Sequence, residues 1–232
     1  NPPAPEAFYG LAGDVVRTIS PHSEADPVAL LVNVLVAFGN AIGRRPFFVA
    51  EADRHFTNLY AVLVGETSKA RKGSSWGHIR RLFRAVDPEW ADDRVVEGNL
   101  SSGEGLVWAV RDPIKGQDST VVLDSGMADK RLLMVETEFS ITLKVMRREG
   151  NTLSATVRQA WDRGDLRVLT KNSPARATGA HVSLIAHISR QELLRYLDDT
   201  EAGNGFANRF LWLAVRRSKV LPEGGNLREQ DL

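Results

Sequence analysis

Lys72 and the hydroxyls of Ser74 and Ser75 are the side chains whose type and spacing point most directly to chemistry. They follow an apolar run at 59–64 and a loop that begins at Gly65. Strand, glycine-bounded loop, lysine, hydroxyl and helix is the layout of a loop that cradles phosphate. Each part has a physical task. A buried strand fixes where the loop begins. Backbone N–H groups at the helix start face the anion, and the helix dipole adds partial positive charge. A lysine reaches the β- and γ-phosphates, and a hydroxyl holds Mg²⁺. The candidate nucleotide contacts are therefore Gly65, Lys69, Lys72, Gly73, Ser74 and Ser75, with Ser74 or Ser75 as the metal's hydroxyl ligand.

The spacing departs from the usual G-x-x-x-x-G-K-[ST]. Six residues separate Gly65 from Lys72, one more than that pattern has. Arg71 stands where the second glycine belongs, and Gly73 where the hydroxyl belongs. A left-handed backbone at Arg71 would carry the Cβ penalty that glycine avoids. The competing reading is a strand-to-helix turn with a basic loop.

Three further stretches carry candidate chemistry. The run 131–138 is apolar and ends in Glu136-Thr137-Glu138. A carboxylate at the carboxyl end of a buried strand sits where open parallel sheets bind ligands. Glu136 is the candidate magnesium ligand, and Glu138 the candidate acid that polarises an attacking water. The run 181–189 is a strand that places His187 and Ser189 near its end, as candidate sensors of the γ-phosphate; a hydrogen-bonded core histidine is the alternative for His187. Arg209 enters a strong apolar strand after a glycine-flanked turn. An arginine at such an edge can reach a neighbouring subunit's phosphates as a finger, or simply pair with a carboxylate.

The elements that must position these groups follow from periodicity. Residues 5–19 read as an amphipathic helix, with Phe8, Leu11, Val15 and Val16 at helical spacing. Asp26-Pro27 caps a second helix over 27–42, apolar on most faces and hence buried. Residues 47–49 and 59–64 read as strands around a polar turn, Asp53-Arg54-His55. Ser74-Ser75 opens the helix after the loop, with Arg80, Arg81 and Arg84 toward solvent. Short strands are expected at 94–97 and 120–123, a helix at 106–110, a flexible connection between Arg111 and Asp118, and a helix at 191–197. Residues 163–178 read as a hairpin with a basic, Ser/Pro-containing tip.

Composition sets broad limits. The 232 residues suffice for a sizeable core. A net charge of +1 gives no global field that demands nucleic acid. The absence of cysteine excludes disulfides and Cys-based zinc sites. No apolar run reaches membrane-spanning length and no signal peptide is evident, which points to a cytoplasmic protein without membrane partners. The chain begins at Asn1 rather than methionine and reads as a piece of something longer.

Several blocks together carry a resemblance. They are Gly65 with Lys69-Ala70-Arg71-Lys72-Gly73-Ser74-Ser75-Trp76-Gly77, then Ser101-Ser102-Gly103-Glu104-Gly105-Leu106, Asp129-Lys130-Arg131-Leu132-Leu133, Arg148-Glu149-Gly150-Asn151-Thr152-Leu153-Ser154, and Asn204-Gly205-Phe206-Ala207-Asn208-Arg209-Phe210-Leu211-Trp212. The combination resembles a poorly characterised bacterial and phage P-loop ATPase family, often attached to primase–polymerase modules or mobile elements. That family is similar to the RecA-like core of replicative helicases. The resemblance covers about residues 8–225. Taken with the two N-terminal helices read above, it implies an α/β fold with a mainly parallel central sheet flanked by helices, organised as a helical N-terminal extension over 1–45 and a P-loop NTPase core over 46–232. It also implies ATP and Mg²⁺ as ligands, single-stranded DNA as a partner, and a homo-oligomeric ring. By the same resemblance Glu104 is a candidate catalytic glutamate. The loops before the sensing strand would face a nucleic-acid channel, which makes Arg163, Arg167, Lys171 and Arg176 candidate phosphate contacts. The leading expectation is ATP hydrolysis coupled to DNA handling; the alternative is a non-motor module that binds nucleotide or DNA for assembly or regulation.

Overall fold

The computed structural model describes residues 3–66, 71–98, 100–116, 121–168 and 175–228, so Lys69 and Lys171 lie outside the described residues. In chain order the elements are α1 (Gly10–Ile19), α2 (Pro27–Ala41), β1 (Phe47–Ala50), β2 (Asp53–Phe56), β3 (Tyr60–Gly65), α3 (Lys72–Val86), α4 (Pro88–Asp93), β4 (Val95–Glu97) and α5 (Gly103–Ala109). Then come β5 (Ile114–Lys115), β6 (Val122–Asp124), β7 (Arg131–Glu136), α6 (Phe139–Met146), α7 (Leu153–Asp162), β8 (Leu166–Val168), β9 (Ala175–Ala177), β10 (His181–Ser189), α8 (Arg190–Tyr196), α9 (Asp199–Gly203) and β11 (Leu211–Ala214).

Five strands form one all-parallel sheet in the order β11-β3-β10-β7-β4. Strands buried on both faces read as continuous apolar runs, as β3, β7 and β10 do. Their side chains still alternate. Tyr60, Val62, Leu132, Met134, Val182 and Leu184 pack against α5, α6 and α7. Ala61, Leu133, Val135 and Ile185 pack against α1 to α4. The result is an α/β sandwich with helices on both sheet faces, an architecture compatible with Rossmann-like and RecA-like proteins.

Helix α2 begins as expected: the Asp26 side chain accepts from the Val28 N–H and Pro27 fills the first turn. It lies within the core on the α1–α4 face, with Leu30, Val34 and Val36 buried. Asn40 on this helix is a polar hub. Its amide donates to the carbonyls of Leu132 and His181 and to the Ser183 hydroxyl, and its oxygen accepts from the Trp90 indole. A buried amide with every group paired ties the helix layer to β7 and β10.

The hairpin before β3 differs from the sequence expectation. Asp53, Arg54 and His55 are paired strand residues of β2, not a turn. The chain reverses one step earlier, where Glu51 takes a positive φ of 54°. Cross-strand contacts explain the register: Phe47 meets Phe56 at 6.0 Å, and the Arg54 guanidinium lies 4.6 Å over the Phe47 ring. Helix α3 starts at Lys72 rather than at Ser74. Along it Arg80 pairs with Glu97, and Arg81 donates to the Leu227 carbonyl, so neither simply faces solvent. A short strand, β5, occupies Ile114–Lys115 where a flexible connection was expected.

Candidate functional site

Three of the parallel strands, β3, β7 and β10, deliver their carboxyl ends to one crevice of about 760 Å³. It is lined by Arg71 to Ser74, Thr137, Glu138, Ser140, His187 to Ser189, Gln191 and Glu192. Ligands of open parallel sheets bind in such a position. Helices α3 and α6 both start here, so their backbone N–H groups and dipoles favour an anion.

At the loop the backbone meets the demand that the sequence seemed to forbid. Arg71 takes a left-handed conformation, φ 52° and ψ 30°, as the residue that caps α3. Its guanidinium donates to Glu24 at 2.6 Å. That side-chain contact holds a residue whose backbone would otherwise favour glycine. Arg71→Gly and Arg71→Ala both lose the ion pair, and only glycine relieves the backbone. Urea unfolding should therefore find the glycine variant more stable than the alanine variant by about 1 kcal/mol; equal stabilities would contradict a strained position.

Lys72 reaches back to the end of β3, with Nζ donating to the carbonyls of Glu66 at 3.2 Å and Gly65 at 3.5 Å. Burial pushes its pKa down, while the Glu192 carboxylate pulls it up. Ser74 is exposed on the crevice wall. Ser75 is fully buried, donates to the Lys72 carbonyl at 2.6 Å and accepts from the Asn33 amide. Of the two hydroxyls, only Ser74 is presented to the crevice.

The glutamate that ends β7 and the one two residues later are placed apart. Glu138 is exposed in the crevice at the start of α6. Glu136 projects to the sheet face packed by α5 to α7, because its position along β7 matches Leu132 and Met134 rather than Val135. There it accepts from the Leu100 N–H at 2.9 Å and from the Thr142 hydroxyl at 3.4 Å, and burial raises its pKa. It does not line the crevice. Glu104, in the first turn of α5, accepts from the Thr152 hydroxyl and is not brought to the crevice either.

His187 lines the crevice and is 2 % exposed, and its Nε2 has no hydrogen-bond partner among the described residues. Burial, then the Lys72 charge, holds its pKa at about 4, so the imidazole is neutral at pH 7. The alternative of a satisfied core histidine is thus not what is found on Nε2. Ser189 caps α8 in a reciprocal capping box with Glu192. Glu192 also accepts from the Ser140 hydroxyl at 3.0 Å. The sequence reading missed Glu192, although Ser189-Arg190-Gln191-Glu192 carries the S-x-x-E signal that would have found it.

Arg209 lies in a short turn before β11. Its guanidinium grips both Asp162 oxygens, at 2.6 and 3.1 Å, and donates to the Gly205 carbonyl. Within this chain it is committed to a carboxylate.

The basic hairpin is strands β8 and β9, joined to the amino end of β10 and so at the opposite end of the sheet from the crevice. Arg167 and Arg176 are both exposed and face each other across the ladder. Like charges directly opposite are unfavourable, and Asp112 approaches Arg176 only to 3.9 Å. The Arg163 carbonyl accepts from Arg44.

Among the described residues no cluster of three or more His, Asp or Glu side chains could hold a metal ion. Among the same residues no helix is long and apolar enough to cross a membrane. No family model matches the chain. No curated protein matches it significantly.

Proposed function

We propose that the crevice binds a nucleoside triphosphate with Mg²⁺ and hydrolyses it. The observation that carries this is the convergence of Lys72, Ser74, Glu138 and His187 at the carboxyl ends of β3, β7 and β10. The strand order supports it as well. One strand, β10, lies between the phosphate-loop strand β3 and the acid-ended β7, so the candidate sensors His187 and Ser189 stand between the two. In the common dinucleotide order the first and second strands are adjacent; here β3 and β4 are separated by two others.

In this reading Lys72 exchanges its two carbonyl contacts for the β- and γ-phosphates. The N–H groups at the start of α3 receive the same phosphates. Mg²⁺, held by the Ser74 hydroxyl, would neutralise charge on the phosphate oxygens. A site with few protein ligands suits magnesium, which keeps waters and leans on substrate phosphates. Glu138 orients and polarises the attacking water, and His187 lies beside it in the crevice lining.

Coupling to DNA rests on the family resemblance and on the opposed Arg167 and Arg176, which a nucleic-acid phosphate would relieve. The internal pairing of Arg209 favours a second reading, a nucleotide-binding module for assembly or regulation rather than a motor with a finger acting between subunits. Phosphate release from Mg-ATP, measured with and without single-stranded DNA, separates them. Stimulated turnover supports the motor. Binding with slow, DNA-independent turnover supports the module. No binding rejects both.

A further inference from the structure

A second cavity of about 340 Å³ opens beside the first and shares Arg71 and Ser74 with it. One wall is a stripe of α3, Ser74, His78 and Arg81, spaced so that they fall on one helical face. The opposite wall is His22, Ser23 and Glu24 with Leu221, Gly224, Gly225 and Leu227 of the segment after β11.

That segment is tied down along its length. The Ser218 N–H donates to the Glu24 carbonyl, the Leu221 N–H to the Glu24 carboxylate, and Lys219 Nζ to the Ser20 carbonyl. Arg217 grips Glu24, and Arg81 Nη2 donates to the Leu227 carbonyl at 3.2 Å. Gly225 packs so closely on His22 that a Cβ would come within 1.7 Å of its carbonyl oxygen. No side chain fits there, and the wall depends on that approach.

We propose that this cavity receives the base and ribose of the nucleotide whose phosphates lie against Lys72. The inference rests on the phosphate-site reading and adds where the rest of the substrate goes. Continuity through Arg71 and Ser74 at the start of α3 gives one bound molecule access to both cavities. Among the lining cations, Arg71 is paired to Glu24, Arg81 donates to the Leu227 carbonyl, and burial, with Arg81 and His22 nearby, lowers the pKa of His78. What remains is planar imidazole and guanidinium surface with an apolar wall at Leu227, a surface on which a heteroaromatic ring stacks. The volume lies within the range of small-ligand sites.

The test compares Mg-ATP, Mg-GTP and magnesium tripolyphosphate by calorimetry on the full chain. At least one nucleotide should bind about tenfold more tightly than tripolyphosphate, as one stacked base contributes. A His22→Ala/His78→Ala variant should lose that advantage and keep its tripolyphosphate affinity. Equal affinities in wild type, or a variant that keeps the advantage, would overturn the proposal and leave the phosphate site standing. Tripolyphosphate that fails to bind at all would overturn the phosphate reading and this one with it. Photolabelling of wild type with 8-azido-ATP needs no variant: labelled peptides should come from 22–24, 74–81 or 221–227, and labelling elsewhere would reject the assignment.

Discussion

Lys72→Ala weakens binding of Mg-ATP by roughly 100-fold or more, while the protein without ligand melts as the wild type does. The size follows from removing one partner of a hydrogen-bonded charge pair, which costs a few kcal/mol. The unchanged melting follows from what Lys72 holds, the carbonyls of Gly65 and Glu66 from a half-buried side chain. Calorimetry with Mg-ATP reads the first quantity and a thermal scan the second. Equal affinities in wild type and variant would remove Lys72 from the site.

Glu138→Gln is expected to slow hydrolysis by about 10² to 10⁴, the usual contribution of a general base, and to leave Mg-ATP binding intact. The amide keeps the size and the hydrogen-bonding reach of the carboxylate and loses only its basicity. Glu104→Gln should change neither quantity, because Glu104 engages Thr152 outside the crevice. Single-turnover phosphate release with a parallel binding isotherm separates the cases. Hydrolysis lost in Glu104→Gln and kept in Glu138→Gln would reverse the assignment of the acid.

Glu24 links the loop to the segment after β11. Hydrogen bonds from Arg217, then from the Leu221 N–H, with help from Arg71, hold its pKa at about 2, below the ordinary 4.5. A depressed carboxylate stabilises the fold above its unfolded pKa and loses that contribution as pH falls toward the folded value. Glu24→Gln should thus be less stable than wild type at pH 7, with the gap closing between about 4.5 and about 2. Urea unfolding at several pH values checks this; a gap constant across that window would mean that the charge of Glu24 contributes nothing.

Much of the parallel core is legible because its strands are continuous apolar runs between glycine-marked loops. The run 59–64 becomes β3 nearly residue for residue, and the run 131–138 forms β7 over its first six residues. The site is legible in part. Types and spacing identify Lys72, leave Ser74 and Ser75 as alternatives, and mark Arg71 as standing where glycine belongs. They do not show that a distant carboxylate, Glu24, would hold an arginine there. Glu136 and Glu138 look equivalent as acids after a strand. In the fold Glu136, still within β7, is buried against the Leu100 N–H and Thr142, while Glu138, past the strand, opens to the crevice. The pairing of Arg209 with Asp162 joins residues 47 apart in sequence, and no local pattern announces it. The turn expected at Asp53 fails because cross-strand aromatic and cation contacts set the register, rather than the polarity of three residues.

The most direct measurement is a crystal structure of this chain grown with Mg²⁺ and a non-hydrolysable ATP analogue. The account predicts phosphate density over the start of α3, with Lys72 Nζ moved from the Gly65 and Glu66 carbonyls to the β- and γ-phosphates. It also predicts the metal at the Ser74 hydroxyl and Glu138 facing the terminal phosphate. Nucleotide bound at another place, or an ordered Lys72 still on its two carbonyls beside the bound analogue, would contradict it.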